Sequence, residues 1–139
     1  MSHAPAQPLR VLLFGYGLAG QVFHGPLLTA GGDYTIDVIV TSDPARSAAA
    51  RAAHPGAQVV ADADAAFALA GDCDLAVVCT PNDTHVELAR RALDEGLHVV
   101  VDKPLALTVK VFPSAARLPC WGENRGVVAR RRRSLHGAA

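Results

Sequence analysis

The chain has 139 residues, half of them hydrophobic and 19% charged, enough for one domain with a substantial core and too apolar for an intrinsically disordered chain. No apolar run approaches the roughly 20 residues of a membrane-spanning helix, residues 1–8 carry no basic-then-apolar leader, and the three widely spaced cysteines form neither a disulfide framework nor a metal-ligand cluster, so a cytoplasmic protein is expected. The formal net charge of zero divides unevenly, with six basic against twelve acidic side chains in residues 1–109 and seven basic against one acidic in residues 110–139.

Residues 1–8 hold two prolines and few core formers and read as a disordered lead-in. Residues 9–14 are apolar apart from Arg10, as a strand buried on both faces of a parallel sheet would be. The run then breaks into Gly15-Tyr16-Gly17-Leu18-Ala19-Gly20, a G-x-G-x-x-G pattern. Its glycines suit a tight strand-to-helix turn, close backbone approach to a pyrophosphate, and close packing of the following helix. A helix is predicted from Leu18 to about Ala30, bent or interrupted at Gly25-Pro26 and stopped at Gly31-Gly32-Asp33.

Tyr34 to Thr41 is rich in β-branched residues and reads as the second strand. Ser42-Asp43-Pro44 supplies a cap and a first-turn proline for an alanine-rich helix over 45–53, ended by His54-Pro55-Gly56. A short third strand is predicted at 58–60, then a helix capped by Asp62 or Asp64 and running to about Ala70. Asp74 to Thr80 forms the fourth strand, with Cys79 as a small core residue. Pro81-Asn82-Asp83 turns into a helix with Val86, Ala89 and Leu93 on its apolar face, ended by Gly96, and Leu97 to Val101 is the fifth strand, leading into Asp102-Lys103-Pro104.

Five short strands alternating with helices predict an α/β, Rossmann-type doubly wound parallel sheet of strand order 3-2-1-4-5, with an irregular C-terminal tail. Ligands of such sheets bind beyond the carboxyl ends of the strands, at the switch between strands 1 and 4. Gly15-Tyr16-Gly17, Thr41-Ser42, Thr80-Pro81-Asn82 and Asp102-Lys103-Pro104 all fall on that edge.

Three of these segments, in order and register, resemble the Gfo/Idh/MocA oxidoreductases: the glycine loop, Thr80-Pro81-Asn82 followed by His85, and Asp102-Lys103-Pro104. Gly17-Leu18-Ala19-Gly20 with Phe23-His24-Gly25-Pro26-Leu27 resembles one branch of that family. The resemblance covers residues 9 to about 109 and implies the nicotinamide dinucleotide-binding half of such an enzyme. It implies hydride transfer between the cofactor and a sugar or polyol hydroxyl carbon in a full-length protein whose second domain completes the substrate pocket. Lys103 is then implicated in catalysis, and Gly15, Tyr16, Gly17, Leu18, Ala19, Gly20, Thr80, Pro81, Asn82, His85, Asp102 and Lys103 in cofactor binding. Asp102 stands where the family usually has Glu. Asn82 has a helix cap as its alternative role, and His24 and His85 have structural roles in their helices as theirs.

The end of the second strand bears on the cofactor. Aligned on Asp43-Pro44, the position of the usual ribose-binding carboxylate is taken by Thr41, followed by Ser42, with Arg46 close by. Nothing there repels a 2′-phosphate, which favours NADP over NAD, with Ser42 and Arg46 as its partners. Asp43 turned inward would favour NAD.

After Thr108 the family pattern breaks. Pro113, Pro119 and Gly122 occupy the place of a long helix, and Arg130-Arg131-Arg132-Arg133 follow. The expectation is a Rossmann domain over 9–109 and an irregular basic tail over 110–139, the second domain being absent. Out-of-frame translation of an Ala/Arg-rich coding region accounts for the sudden loss of pattern and the charge flip, with a solvated tail as the consequence. Nucleic-acid binding is disfavoured, since the tail lacks interleaved aromatics and any known motif, and a membrane partner is not expected. The apolar surface left open after Pro104 predicts self-association through the exposed sheet or the tail. A nucleotide-binding module without turnover of its own is the alternative to an active enzyme.

Overall fold

The computed structural model of the chain describes residues 7–102 and 127–129. The strands are β1 (Leu9–Phe14), β2 (Tyr34–Val40), β3 (Gln58–Val60), β4 (Leu75–Val78), β5 (His98–Val101) and β6 (Val127–Ala129). They form one sheet in the order β3-β2-β1-β4-β5-β6, the first five parallel as expected. β6 runs antiparallel to β5, with Val101 opposite Val127. No strand is predicted there from the sequence, because three apolar residues are too short to carry a period.

The helices are α1 (Gly25–Ala30), α2 (Pro44–Ala53), α3 (Ala63–Ala68) and α4 (His85–Asp94). Asp43 caps α2 by accepting the Arg46 amide at 2.8 Å, with Pro44 at the first turn, and Asp62 rather than Asp64 caps α3 through the Ala65 amide, also at 2.8 Å. The expected bend at Gly25-Pro26 takes a particular form. Residues Ala19–His24 form a wide π-type turn that leads directly into α1. Pro26 has no amide to donate and its ring crowds the carbonyl four residues back. Widening the turn, with the Gly25 amide bonded to Gly20 O five residues back, relieves that conflict without ending the helix.

β1 is buried on both faces. Leu12 and Phe14 join Val38, Phe67, Val78, Ala89 and Val99 on one side, while Val11 and Leu13 join Tyr16, Ile36, Ile39 and Ala50 on the other. β2 changes phase midway, since Ile36 and Val38 lie on opposite faces although two residues apart. The register explains this: Val11 pairs with Ile36 and Leu12 with Val38, so Asp37 is bulged out of the ladder. The bulged Asp37 meets the Arg10 guanidinium and accepts from the Thr35 hydroxyl at 3.0 Å, which gives a mid-strand carboxylate a partner at the amino end of the sheet. Asp74 accepts the Arg10 amide at 2.8 Å at the same end.

On the α3/α4 side the Phe14 and Phe67 rings lie 5.1 Å apart, and the Arg91 guanidinium covers Phe67 at 4.3 Å while pairing with Asp64. Among the described residues no helix is long and apolar enough to cross a membrane, and no group of His, Cys, Asp and Glu side chains is arranged to hold a metal ion. Phe14→Ala is expected to lower the unfolding free energy by about 3–5 kcal/mol, since it empties a fully buried aromatic site. Arg91→Ala, on the half-exposed outside of the same stack, is expected to cost about 0.5–1 kcal/mol. Urea unfolding of the two variants measures both.

Candidate functional site

The parallel order places the carboxyl ends of β1 to β4 side by side. There a cleft of about 430 Å³ is walled by Gly15, Tyr16 and Gly17, by Val40, Thr41, Ser42 and Arg46, by Ala61, and by Cys79, Thr80 and Pro81. A second cleft of about 250 Å³ shares Val40, Ala61, Thr80 and Pro81 with it and continues over Phe14, Ala63 and Leu88.

Two glycines of the loop are required by contact. Gly15 has φ +95°, and a Cβ there would lie 2.9 Å from the Cys79 carbonyl oxygen. A Cβ on Gly20 would lie 2.5 Å from Gly15 O, closer than any real side chain comes. Gly17 differs: a Cβ there would meet nothing nearer than the Arg46 guanidinium at 3.7 Å. The space in front of Gly17 is therefore open and is faced by a cation. The Gln21 amide bonds Gly17 O at 2.9 Å, so the helical turn begins at the loop itself. Amides of such a first turn lack intrahelical acceptors and point out of the helix end.

The remaining predicted site residues divide into those that wall the cleft and those that shape it from behind. Thr41, Ser42, Arg46, Thr80 and Pro81 are walls. Tyr16 is a wall through its backbone, because its ring is turned into the core, 4% exposed, with its edge toward His54 at 5.8 Å between centroids. Burial pushes the Tyr16 hydroxyl above its ordinary pKa and keeps His54 neutral to lower pH than usual. Leu18 projects into solvent, 73% exposed, and neither it nor Ala19 and Gly20 walls the cleft.

His85 lies beneath the site. It is 1% exposed, and its Nε2 sits 2.7 Å from the Thr80 carbonyl oxygen, so it braces the Thr80-Pro81 turn from below. The Thr84 hydroxyl donates to Pro81 O at 2.8 Å, so in its 2.6 Å contact with Thr80 the proton comes from Thr80, leaving Thr80 only lone pairs to offer the cleft. Asn82 is exposed at the start of a short 3₁₀ turn, Asn82–Thr84, and caps neither that turn nor α4 with its side chain. Asp102 follows β5, and its Oδ1 lies 2.9 Å from His24 Nε2. Lys103 lies outside the described residues.

Val40, Ala61 and Cys79 wall the cleft without having been singled out as site residues. The usable signal is topological, since every residue that ends a parallel strand faces this edge. Cys79 Sγ lies 3.2 Å from both Phe14 O and Gly15 O. Burial, aided by the Asp102 charge, pushes its thiol up to about 12, and burial lifts Cys73 to about 11. The folded protein holds the Cys79 proton more tightly than the unfolded chain, whose thiol titrates near 9.0. This contribution to stability is complete below that pH and is lost as pH rises through about 12. The urea midpoint is accordingly expected to fall between about pH 8 and pH 10.5 and to fall less steeply in Cys79→Ala, read by unfolding at each pH.

The family model of the GFO_IDH_MocA oxidoreductases, an NAD-binding Rossmann fold, matches residues 9–118. The chain is 42% identical over 101 residues to the uncharacterized oxidoreductase YdgJ of Escherichia coli K12, covering 73% of this chain and 28% of that protein. It is 36% identical over 104 residues to the scyllo-inositol 2-dehydrogenase (NADP(+)) IolW of Bacillus subtilis 168, covering 73% of this chain and 27% of that one. The crystal structure of GenD2 from gentamicin A biosynthesis, in complex with NAD, superposes with a TM-score of 0.72 at 30% identity over 84% of this chain and 32% of that one. The chain thus spans about 30% of the length of the relatives it matches. With its glycine loop, its sheet order and the family match in agreement, the chain belongs to the Gfo/Idh/MocA oxidoreductases, as their NAD-binding Rossmann domain.

Proposed function

We propose that the cleft at the carboxyl edge of the sheet binds NADP in preference to NAD, and that Arg46 and Ser42 receive the 2′-phosphate. One observation carries this reading: the open space before Gly17 is faced by the Arg46 guanidinium, and no carboxylate stands at the end of β2. Asp43, just beyond the end of β2, accepts the Arg46 amide through Oδ1 as the cap of α2 and is not among the walls of the cleft. Arginine suits phosphate because its planar fork offers paired donors. The amides at the loop and first turn suit the pyrophosphate, and the second, more apolar cleft over Phe14, Ala63 and Leu88 suits the adenine. IolW carries NADP(+) in its name, whereas GenD2 was crystallised with NAD, so the choice rests on Arg46 and the end of β2.

The nicotinamide, when bound, supplies the hydride acceptor or donor. The residues of this chain bind and orient it: the glycine loop on one side, the Thr80-Pro81 turn on the other, and Asp102 and Lys103 at the end of β5. Lys103 is the proposed catalytic residue, as the family resemblance implies, and the proposed substrate is a sugar or polyol, in keeping with the inositol named in IolW. Turnover requires the substrate to be held against the ring with water excluded. That task is assigned to the further length the relatives possess, and residues 1–139 alone are expected to bind cofactor without turnover.

Leu18, Val22, Phe23 and Leu27 expose a large apolar face along the turn and helix that follow the loop, and this face is proposed to drive self-association of the isolated chain. Sedimentation that shows a monomer at high concentration would remove that proposal.

Titration of the chain with NADPH and NADH, followed by nicotinamide fluorescence, tests the central reading. NADPH is expected to bind more tightly. Arg46→Ala is expected to weaken NADPH about 10- to 50-fold and NADH less than about 3-fold. Gly17→Ala, which has room to fold, is expected to weaken both. Binding of neither nucleotide by the unaltered chain would overturn the reading, and equal losses for both in Arg46→Ala would overturn the NADP preference.

A further inference from the structure

His24 and Asp102 are 78 positions apart in sequence, yet His24 Nε2 lies 2.9 Å from Asp102 Oδ1. A carboxylate only accepts, so the imidazole donates through Nε2–H. Both side chains are partly shielded, with 20% and 35% of their surface exposed, so the bond is not simply a solvated ion pair. Among the described residues Asp102 is the one hydrogen-bond partner of the His24 ring.

The position of this pair follows from the backbone on both sides. His24 ends the π-type turn that grows out of the glycine loop. A π turn contains more residues per turn than an α-helix, which rotates the residues after it relative to an unbroken helix. Gly20 and Gly25 permit that turn, since a Cβ on Gly25 would lie 2.7 Å from Gly20 O. At the other end, the Asp102 amide bonds Val78 O at 3.0 Å, which fixes Asp102 beside the end of β4. Cys79, the next residue of that strand end, walls the cleft and senses the Asp102 charge. The pair therefore closes a bridge from the loop's helix, past the end of β4, to the residue that precedes Lys103.

We propose that His24 is a positioning residue for the nicotinamide end of the site: by donating to Asp102 it holds the residue that follows β5 in fixed relation to the helix of the glycine loop. This inference rests on the dinucleotide reading above. It goes beyond that reading in dividing the site into an adenosine end, held by Arg46 and the second cleft, and a nicotinamide end, whose geometry depends on the bond between His24 and Asp102.

Two probes separate the ends. NADPH spans the whole site, while adenosine 2′,5′-bisphosphate carries the 2′-phosphate and adenine without the nicotinamide. The full chain is titrated with each in the unaltered form and as His24→Ala, His24→Gln and Asp102→Ala. His24→Ala is expected to weaken NADPH about 5- to 20-fold and to reduce the nicotinamide fluorescence enhancement, with the bisphosphate unchanged within about 2-fold. His24→Gln keeps a side-chain donor and is expected to recover NADPH affinity to within about 3-fold. Asp102→Ala is expected to mirror His24→Ala, and the double variant to lose little more than either single one, because both remove the same bond.

Equal weakening of both probes in His24→Ala would mean a general structural role and would overturn the proposal. So would an unchanged NADPH affinity, or a glutamine variant no better than alanine. Should His24→Ala fail to fold, the same comparison is read from His24→Gln against Asp102→Ala, where the glutamine variant must exceed the Asp102 variant in NADPH affinity. Failure of the unaltered chain to bind either probe would instead strike the dinucleotide reading itself, and this inference with it.

Discussion

The architecture of the site depends on two backbone contacts that admit no side chain. Gly15 turns with positive φ against the Cys79 carbonyl, and Gly20 lies on the Gly15 carbonyl at a distance that a Cβ would reduce to 2.5 Å. Together they draw the end of β1, the end of β4 and the first turn of the following helix into direct backbone contact. Interiors are close-packed and bistable rather than soft, so a bulkier residue at either point displaces whole elements. The cleft that opens toward Arg46 is the space left on the outer side of this arrangement.

Around those contacts the chain uses its polar groups mainly as braces. His85 holds the Thr80 carbonyl from beneath, Thr84 ties Pro81 and Thr80, Cys79 keeps its proton against two carbonyls of the glycine turn, and Asp43 is spent on α2. A buried donor or acceptor without a partner is costly, which is what commits the His85 ring and the Cys79 thiol to the carbonyls behind the cleft. The first cleft is walled by the glycine loop, Thr41, Ser42, Arg46 and the Thr80-Pro81 turn, with Asp62 and Glu87 lining only the second cleft. That set suits an anionic ligand with hydroxyl groups, as a dinucleotide is.

Much of this was legible in the chain itself. The apolar run at 9–14, the β-branched run at 34–41, the apolar run at 74–80 and the punctuation by Gly, Pro, Asp and Asn place the five parallel strands to within about two residues, while β6 carries no such signal. The crossover rule then brings the glycine loop, Thr41-Ser42 and Thr80-Pro81 to one edge. Roles within that edge were less legible. Residue type alone does not tell that the Tyr16 ring enters the core, that Asn82 caps nothing, or that His85 faces the underside of its turn, because each depends on which way a side chain leaves a loop.

Local sequence determined the elements, their order across the sheet and the family, because periodicity, caps and glycine spacing act over a few residues and right-handed crossovers leave few arrangements. Only the tertiary structure decided the contacts between segments distant in the chain. The Asp37 bulge that lets β2 bury opposite faces needs the register against β1. The π-type turn before Pro26 is a compromise between a lost amide and a packed helix, and the bond from His24 to Asp102 exists because that turn and the end of β5 meet beside β4. Such contacts join residues up to 78 positions apart, a distance over which no sequence pattern carries information until the sheet has closed.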